Sequence, residues 1–303
     1  MNFVESYNQE IILENTNITL FIKREDLLHP HILGNKFRKL KYNLAQAKKE
    51  NKETLLTFGG AFSNHILAVA AAGSEYGFKT VGIIRGDELE NKIADNPTLQ
   101  KAQDFGMVFE FVTREIYSDK DNPKFIEQLK EMFGDFYLLP EGGTNDLAVK
   151  GCEEILTDED AKFDYICCAV GTGGTISGII NCSKKGQQVL GFPALKGDFL
   201  SEDIRKFVAN SNWELILDYH FGGYGKVTEE LILFINDFYK KHKIPLDPIY
   251  TGKMVFGVLD LITKNYFPEN SKILIIHTGG LQGILGMNKI LKQKKQLEIV
   301  CHD

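Results

Sequence analysis

The residue with the most chemical potential in this chain is a lysine set slightly apart from other cations. In ILGNKFRKLKYN (32–43), Lys36 follows Gly34 and Asn35 where a loop enters a helix carrying Arg38, Lys39 and Lys41. An amine near a helix N-terminus and other cations gives up its proton more readily, which is how a lysine becomes nucleophilic toward a carbonyl. By spacing alone, the four basic residues read first as a solvated helix face. A second feature is AVGTGGTISG (169–178), in which Gly171, Thr172, Gly173, Gly174 and Thr175 join an apolar strand to a helix. Glycines let the backbone close around an anion, and successive N–H groups at a helix start supply positive potential. The third glycine of a dinucleotide fingerprint would fall at Ile176 and no G-K-[ST] ending follows, so neither that motif nor a P-loop is present. Two readings stand: a phosphate cradle, or a tight turn that needs glycine for its dihedrals.

Two more glycine-rich turns share the pattern. TFGGAFSNH (57–65) places Ser63, Asn64 and His65 at a helix start, where Ser63 and Asn64 serve as caps or as donors to a substrate carboxylate. HTGG (277–280) presents Thr278 after another apolar run. Three such turns in one chain suit a ligand with several anionic groups. Tyr250 and Thr251 precede a helix in DPIYTGKMVFG (247–257), and Tyr224 lies in the glycine-flanked FGGYGKVTEE (221–230). Tyrosine serves as acid, base or stacking plate, though most tyrosines fill space with a hydrogen-bonded tip.

These loops need strands and helices to hold them. Apolar runs at 54–58, 79–85, 107–112, 136–140, 165–170, 187–192, 213–217 and 272–277 read as strands. Helices are expected over 63–76, 97–105, 122–133, 144–156, 175–184, 227–242, 252–265 and 280–291. The alternation predicts an α/β fold of parallel sheets covered by helices, with ligands at the carboxyl ends of strands. No repeat or long linker interrupts it. The organisation expected is a large unit, 1–49 plus 146–303, with a small α/β unit, 50–145, inserted. The stretch KQKKQLE (292–298) reads as a solvated helix face.

Composition narrows the classes. The 303 residues carry a formal charge of −6, which does not suit a chain that binds nucleic acid by neutralising phosphates. No apolar run reaches the roughly 20 residues of a membrane span. MNFVESYNQE lacks a basic region followed by an apolar stretch, so a cytoplasmic protein is expected. Cys152, Cys167, Cys168, Cys182 and Cys301 form no C-x-x-C pair, and DYICCAV reads as buried core. His29 and His31 have no carboxylate at ligand spacing, so no metal is expected.

Taken in order from KREDLLHP (23–30) to HTGGLQG (277–283), the motifs GNK-F-RKL, SNH, PEGG (140–143), GTGGT, DPIYTGK and HTGG resemble the aminocyclopropane carboxylate deaminase and D-cysteine desulfhydrase family. The resemblance covers nearly the whole chain. It implies two open twisted, mainly parallel sheets of the tryptophan-synthase-β-like fold (type II) and the cofactor pyridoxal 5'-phosphate (PLP). It makes Lys36 the lysine that holds PLP covalently, reversing the reading from spacing. It gives Asn64 the cofactor's phenolic oxygen, Ser63 with Asn64 and His65 the substrate carboxylate, and Gly171 to Thr175 the phosphate. Tyr250 would stack near the pyridine ring with Tyr224 facing it, and Thr278 and Thr251 would lie by the ring nitrogen. Lys36, Tyr250, Tyr224 and Ser63 are then the catalytic candidates. Family deaminases carry an acid where this chain has Thr251, and His65 after Ser63-Asn64 also looks like the desulfhydrases. The implied reaction is β-elimination from D-cysteine to pyruvate, hydrogen sulfide and ammonia. The alternatives are ring-opening of aminocyclopropane carboxylate to 2-oxobutyrate and ammonia, or a non-catalytic PLP or amino-acid binder. Leu33 and Phe37 depart from the family pattern, and GTGGT looks more like the cysteine synthases. The family habit implies a homodimer.

Overall fold

The computed structural model describes residues 4–197 and 200–300; the expectations for residues 1–3 and Cys301 fall outside them. In chain order the strands are β1 (Asn8–Ile11), β2 (Thr19–Lys23), β3 (Thr54–Gly59), β4 (Lys79–Arg85), β5 (Met107–Val112), β6 (Tyr137–Leu139), β7 (Tyr165–Val170), β8 (Gln188–Pro193), β9 (Trp213–Leu215) and β10 (Lys272–Ile276). The helices are α1 (Asn35–Lys49), α2 (Asn64–Tyr76), α3 (Pro97–Asp104), α4 (Arg114–Ser118), α5 (Pro123–Phe133), α6 (Asp146–Cys152), α7 (Gly174–Cys182), α8 (Leu200–Arg205), α9 (Glu229–His242), α10 (Thr251–Thr263) and α11 (Gly283–Gln293). One sheet runs β1-β2-β10-β7-β8-β9 and the other β5-β4-β3-β6. Every pairing is parallel except β1 with β2, so the α/β class and its two mainly parallel sheets hold.

The inner parallel strands are mainly apolar because helices cover both faces. Cys167, Ile273 and Ile275 pack with α9 and α10, while Ile166, Cys168, Leu274 and Ile276 pack with α7 on the other face. This period-2 alternation puts Cys167 and Cys168 on opposite sides of β7, both fully buried. In the smaller sheet, Leu55 and Ile84 meet α2, while Leu56, Phe58 and Ile83 meet Leu129 of α5. Among the described residues no helix is long and apolar enough to cross a membrane.

The sequence reading did not include β1 and β2. β1 is a mostly polar edge strand, NQEI, and β2 is a five-residue insert between charged and polar segments, so neither carries a clear period. The short helices α4 and α8 were not anticipated either. KQKKQLE is helical only to Gln293 and continues as exposed chain.

A further difference concerns the basic run on α1. Arg38 and Lys39 are buried, not solvated. Arg38 donates from Nε and Nη2 to the two carboxylate oxygens of buried Glu25, 2.9 Å each. Arg24 grips Asp26 in the same two-pronged way, and Lys23 pairs with Asp160 at 2.8 Å. KREDLLHP thus folds as a network of buried ion pairs that fixes the chain leading to α1. Replacing Arg38 by Met leaves Glu25 charged and unpaired, so urea titration should show a loss of about 3–5 kcal/mol. Lys41→Met, which removes a half-exposed pair with Glu154, should cost less than about 1 kcal/mol.

Candidate active site

The segments following β3, β7 and β10 meet around a cleft. Every residue singled out above as a site candidate lines it except Gly174 and Thr251. Lys36 is the second residue of α1. Its helix can start here because Gly34 adopts φ 57° and lies so close to the next segment that a Cβ would sit 2.0 Å from the Thr278 carbonyl oxygen. Asn35 N donates to that same carbonyl at 3.2 Å, and Asn35 Nδ2 donates to Thr175 Oγ1 at 2.8 Å. The start of α1 is therefore tied both to the end of β10 and to α7. Lys36 Nζ donates to Asn35 Oδ1 at 3.2 Å. Burial, and secondly the charge of Lys39, lower its pKa to about 7.

Lys39, which the sequence reading left on a solvated face, also lines the cleft. Its Nζ donates to Gly142 O and Thr144 Oγ1, both at 3.0 Å, and lies 3.5 Å from Thr172 Oγ1. Burial lowers its pKa too. The available signal was its i+3 spacing from Lys36, which puts the two amines on one helix face. Beside it α7 begins at Gly173 with no side-chain cap, so its first amide groups are left for a ligand. Gly174 lies behind the lining, against Thr144 and Lys39.

At the start of α2, Ser63 is the helix cap, accepting from His65 N at 3.2 Å and Ile66 N at 3.3 Å. Those bonds use the oxygen and leave the hydroxyl hydrogen to be donated. His65 is fixed in one tautomer. Thr57 donates its only hydroxyl hydrogen to Leu139 O at 3.0 Å, so it must accept from His65 Nε2–H at 2.9 Å. Burial, with the charges of Lys36 and Lys39, holds His65 neutral. Its Nδ1 is an acceptor with no partner. Of the five buried side-chain atoms without a partner among the described residues, three belong to cleft residues: His65 Nδ1, Asn64 Oδ1 and Gln282 Oε1. Buried polar atoms are rarely left unpaired, so this concentration marks a polar ligand's place.

Tyr250 closes the opposite side. Its ring approaches Gly171 so nearly that a Cβ there would meet Cε1 at 3.2 Å. Tyr224 stands edge-on to it, ring centres 6.1 Å apart. Burial raises both phenols, so both keep their protons. Asp247, not anticipated from the sequence, organises this turn. Its Oδ1 accepts from Ile249 N and Tyr250 N, and its Oδ2 from Thr251 N and Thr251 Oγ1, all within 2.9 Å. The Thr251 hydroxyl is thereby spent on Asp247 and faces away from the cleft, whereas Thr278 lines it. Of the two departures, Leu33 is in the lining; Phe37 turns into the core and stacks on His29 at 5.7 Å.

Comparison with known proteins gives a consistent picture. The family described as "Pyridoxal-phosphate dependent enzyme" matches residues 8–279. A protein of Pyrococcus horikoshii named "Putative 1-aminocyclopropane-1-carboxylate deaminase" is 31% identical over 288 residues, covering 87% of this chain and 85% of its own. An Arabidopsis thaliana protein named "Bifunctional D-cysteine desulfhydrase/1-aminocyclopropane-1-carboxylate deaminase, mitochondrial" is 31% identical over 296 residues, covering 88% and 73%. A crystal structure titled for an "ACC deaminase homologue" superposes with a TM-score of 0.79 at 28% identity, covering 91% of this chain and 88% of that one.

The geometry around Lys36 makes a measurable demand on the cofactor-free protein. Modification of Lys36 by an amine reagent, followed by peptide mass spectrometry, should rise through a midpoint near pH 7. Lys39→Met should shift that midpoint upward. A midpoint near that of a free lysine in the unsubstituted protein contradicts the burial argument.

Proposed function

The chain belongs to the pyridoxal-phosphate dependent enzymes, and from that premise we propose that it eliminates the β-substituent of a small D-amino acid, D-cysteine foremost, giving pyruvate, hydrogen sulfide and ammonia. The observation that carries the reading is the cleft that Lys36 shares with three unpartnered polar atoms, His65 Nδ1, Asn64 Oδ1 and Gln282 Oε1, in which desolvation lowers the lysine's pKa to about 7. Deprotonated amine suits an aldehyde. The uncapped start of α7, the Thr172 and Thr175 hydroxyls and the Lys39 ammonium suit a phosphate dianion. Asn64 lines the cleft with its Oδ1 unpartnered, an acceptor for a donor on the ligand, and Thr278 offers a hydroxyl on the side assigned to the ring nitrogen. The residues present therefore fit PLP, and the role of each remains part of this proposal.

PLP, when bound, supplies the electron sink that makes bonds at the amino acid's α-carbon breakable. The protein's own contribution is placement and proton handling. The Ser63 hydroxyl and the start of α2 bind the substrate carboxylate, and His65 Nδ1 accepts a hydrogen bond from a donor within the cleft. Lys36 Nζ, with a pKa close to neutrality, takes the α-proton, since a base works best when its pKa lies near the operating pH. Tyr250 and Tyr224, both held protonated, are positioned to donate toward a leaving thiolate. Water completes the balance: D-cysteine and one water give pyruvate, hydrogen sulfide and ammonia.

The preference for D-cysteine rests on the family pattern at Thr251 and His65, and among the described residues no carboxylate lines the cleft. Ring-opening of aminocyclopropane carboxylate is the second reading, favoured by the two adjacent phenols and by the relatives' names. Keto-acid and sulfide release by the PLP-loaded protein should be rapid with D-cysteine and slow with L-cysteine. 2-Oxobutyrate from aminocyclopropane carboxylate without sulfide from D-cysteine replaces the first reading by the second. Lys36→Ala should lower kcat/KM by at least about 10³-fold on whichever substrate turns over.

A further inference from the structure

Tyr224 stands on a backbone that does not hold its shape unaided. Phe221, Gly222, Gly223 and Gly225 all have positive φ, at 52°, 90°, 109° and 69°. For Phe221 that conformation is strained. Two successive turns carry the segment: Gly223 N donates to His220 O at 3.0 Å, and Lys226 N donates to Gly223 O at 3.2 Å. One side chain joins these turns. Lys253 Nζ donates to His220 O and to Gly223 O, 2.9 Å each, so both turn-closing carbonyls share one ammonium group.

The cost of this arrangement shows that it is not incidental. Lys253 is only 2% exposed. Among the described residues it forms no ion pair, and Asp247, whose charge favours its protonated form, is committed to the turn that starts α10. Burial brings its pKa down to about 8. An apolar side chain would fill the space without that desolvation penalty. An ammonium is what two converging carbonyls require. Lys253 lies on the first turn of α10, three residues beyond Tyr250 at the N-cap of the same helix. The bond from Lys253 therefore fixes the loop bearing one tyrosine to the helix that presents the other.

We propose that Lys253 is a positioning residue for Tyr224, clamping the 220–226 loop to α10 so that the two tyrosine rings stand edge-on to each other at the cleft. Its catalytic part rests on the reading of Tyr224 given above; the clamp itself does not. Asp247 and Lys253 then bracket a seven-residue segment, DPIYTGK, that sets both rings: Asp247 through the turn of Tyr250, Lys253 through the loop of Tyr224.

The test separates the two parts. Hydrogen–deuterium exchange on the PLP-loaded protein should show the Gly223 and Lys226 amides exchanging at least 10-fold faster in Lys253→Met. PLP absorbance and affinity should stay within twofold of the parent. On the substrate that turns over, Lys253→Met and Tyr224→Phe should each lower kcat, and the double variant should be no slower than the slower single. Unchanged exchange in Lys253→Met overturns the clamp. Faster exchange with independent, multiplying losses overturns the positioning of Tyr224. Faster exchange with full activity in Tyr224→Phe removes Tyr224 from the reaction and leaves the clamp standing. Should Lys253→Met not fold, Lys253→Gln, which keeps a donor on a shorter stem, should show a smaller rise in exchange at the same two amides, and no rise overturns the clamp.

Discussion

The site depends on one close backbone contact. Gly34 lies against Thr278 so tightly that no Cβ fits, and Asn35 N donates to the Thr278 carbonyl. This contact joins residues far apart in the chain: the start of α1 and the end of β10. It decides where Lys36 stands, because a helix begun one residue later would turn that side chain by about 100°. Asn35 extends the junction sideways to Thr175, so the lysine, the threonine of the β10 turn and the glycine-rich turn after β7 are fixed together. A substitution at Gly34 would disturb all three.

Charge follows from this placement. α1 carries four cations near its start, and the fold treats them differently. Arg38 is neutralised by Glu25 and Lys41 by Glu154. Lys36 and Lys39 have no carboxylate among their described hydrogen-bond partners. Desolvation lowers both, and Lys36 meets the charge of Lys39 as well, which is why its amine reaches about 7 while the helix remains basic. Lys39 keeps its place by donating to a carbonyl and a hydroxyl, an arrangement that leaves its charge uncancelled for an anion at the start of α7. Two lysines one turn apart thus receive opposite tasks from one environment: one loses its proton, the other offers its charge.

Much of this was legible in the sequence, and what was not has identifiable causes. The strands of both sheets except β1 and β2 show as apolar runs because parallel sheets are covered on both faces. The turns with Ser63, the glycines after Val170 and Thr278 show as strand–glycine–helix sequences. Lys36, by contrast, looks solvated by spacing, and the family pattern was needed to single it out. Arg38 and Lys39 were misread because their partners, Glu25 and Thr144, lie on other segments, and pairing across segments leaves no local pattern. Thr251 was placed by analogy beside a ring nitrogen, whereas Asp247, four residues earlier, takes its hydroxyl. Asp247 lies three residues ahead of the N-cap Tyr250, where the usual capping preference gives no signal.

The helix starts hold a more general signal. Remote from the cleft, α3, α4, α5, α6 and α9 are each capped by an Asn or Thr side chain, from Asn96 to Thr228. At the cleft, α1, α7 and α11 have no side-chain cap, although their neighbours include threonine and asparagine. At α1 and α11 backbone carbonyls take first-turn amides instead, Asn35 N on Thr278 O and Gly283 N on Gly280 O, whereas at α7 no backbone acceptor is described for the amides of Gly174 to Ile176. The open start of α7 is explained if a ligand supplies the missing acceptors. α2 is the informative exception, since Ser63 both caps and lines the cleft, its oxygen accepting while its hydrogen remains free to donate. Capping and ligand binding are therefore compatible at a hydroxyl. A helix start that lacks both a capping side chain and a backbone acceptor, as α7 does, carries information about the site that glycine content alone does not.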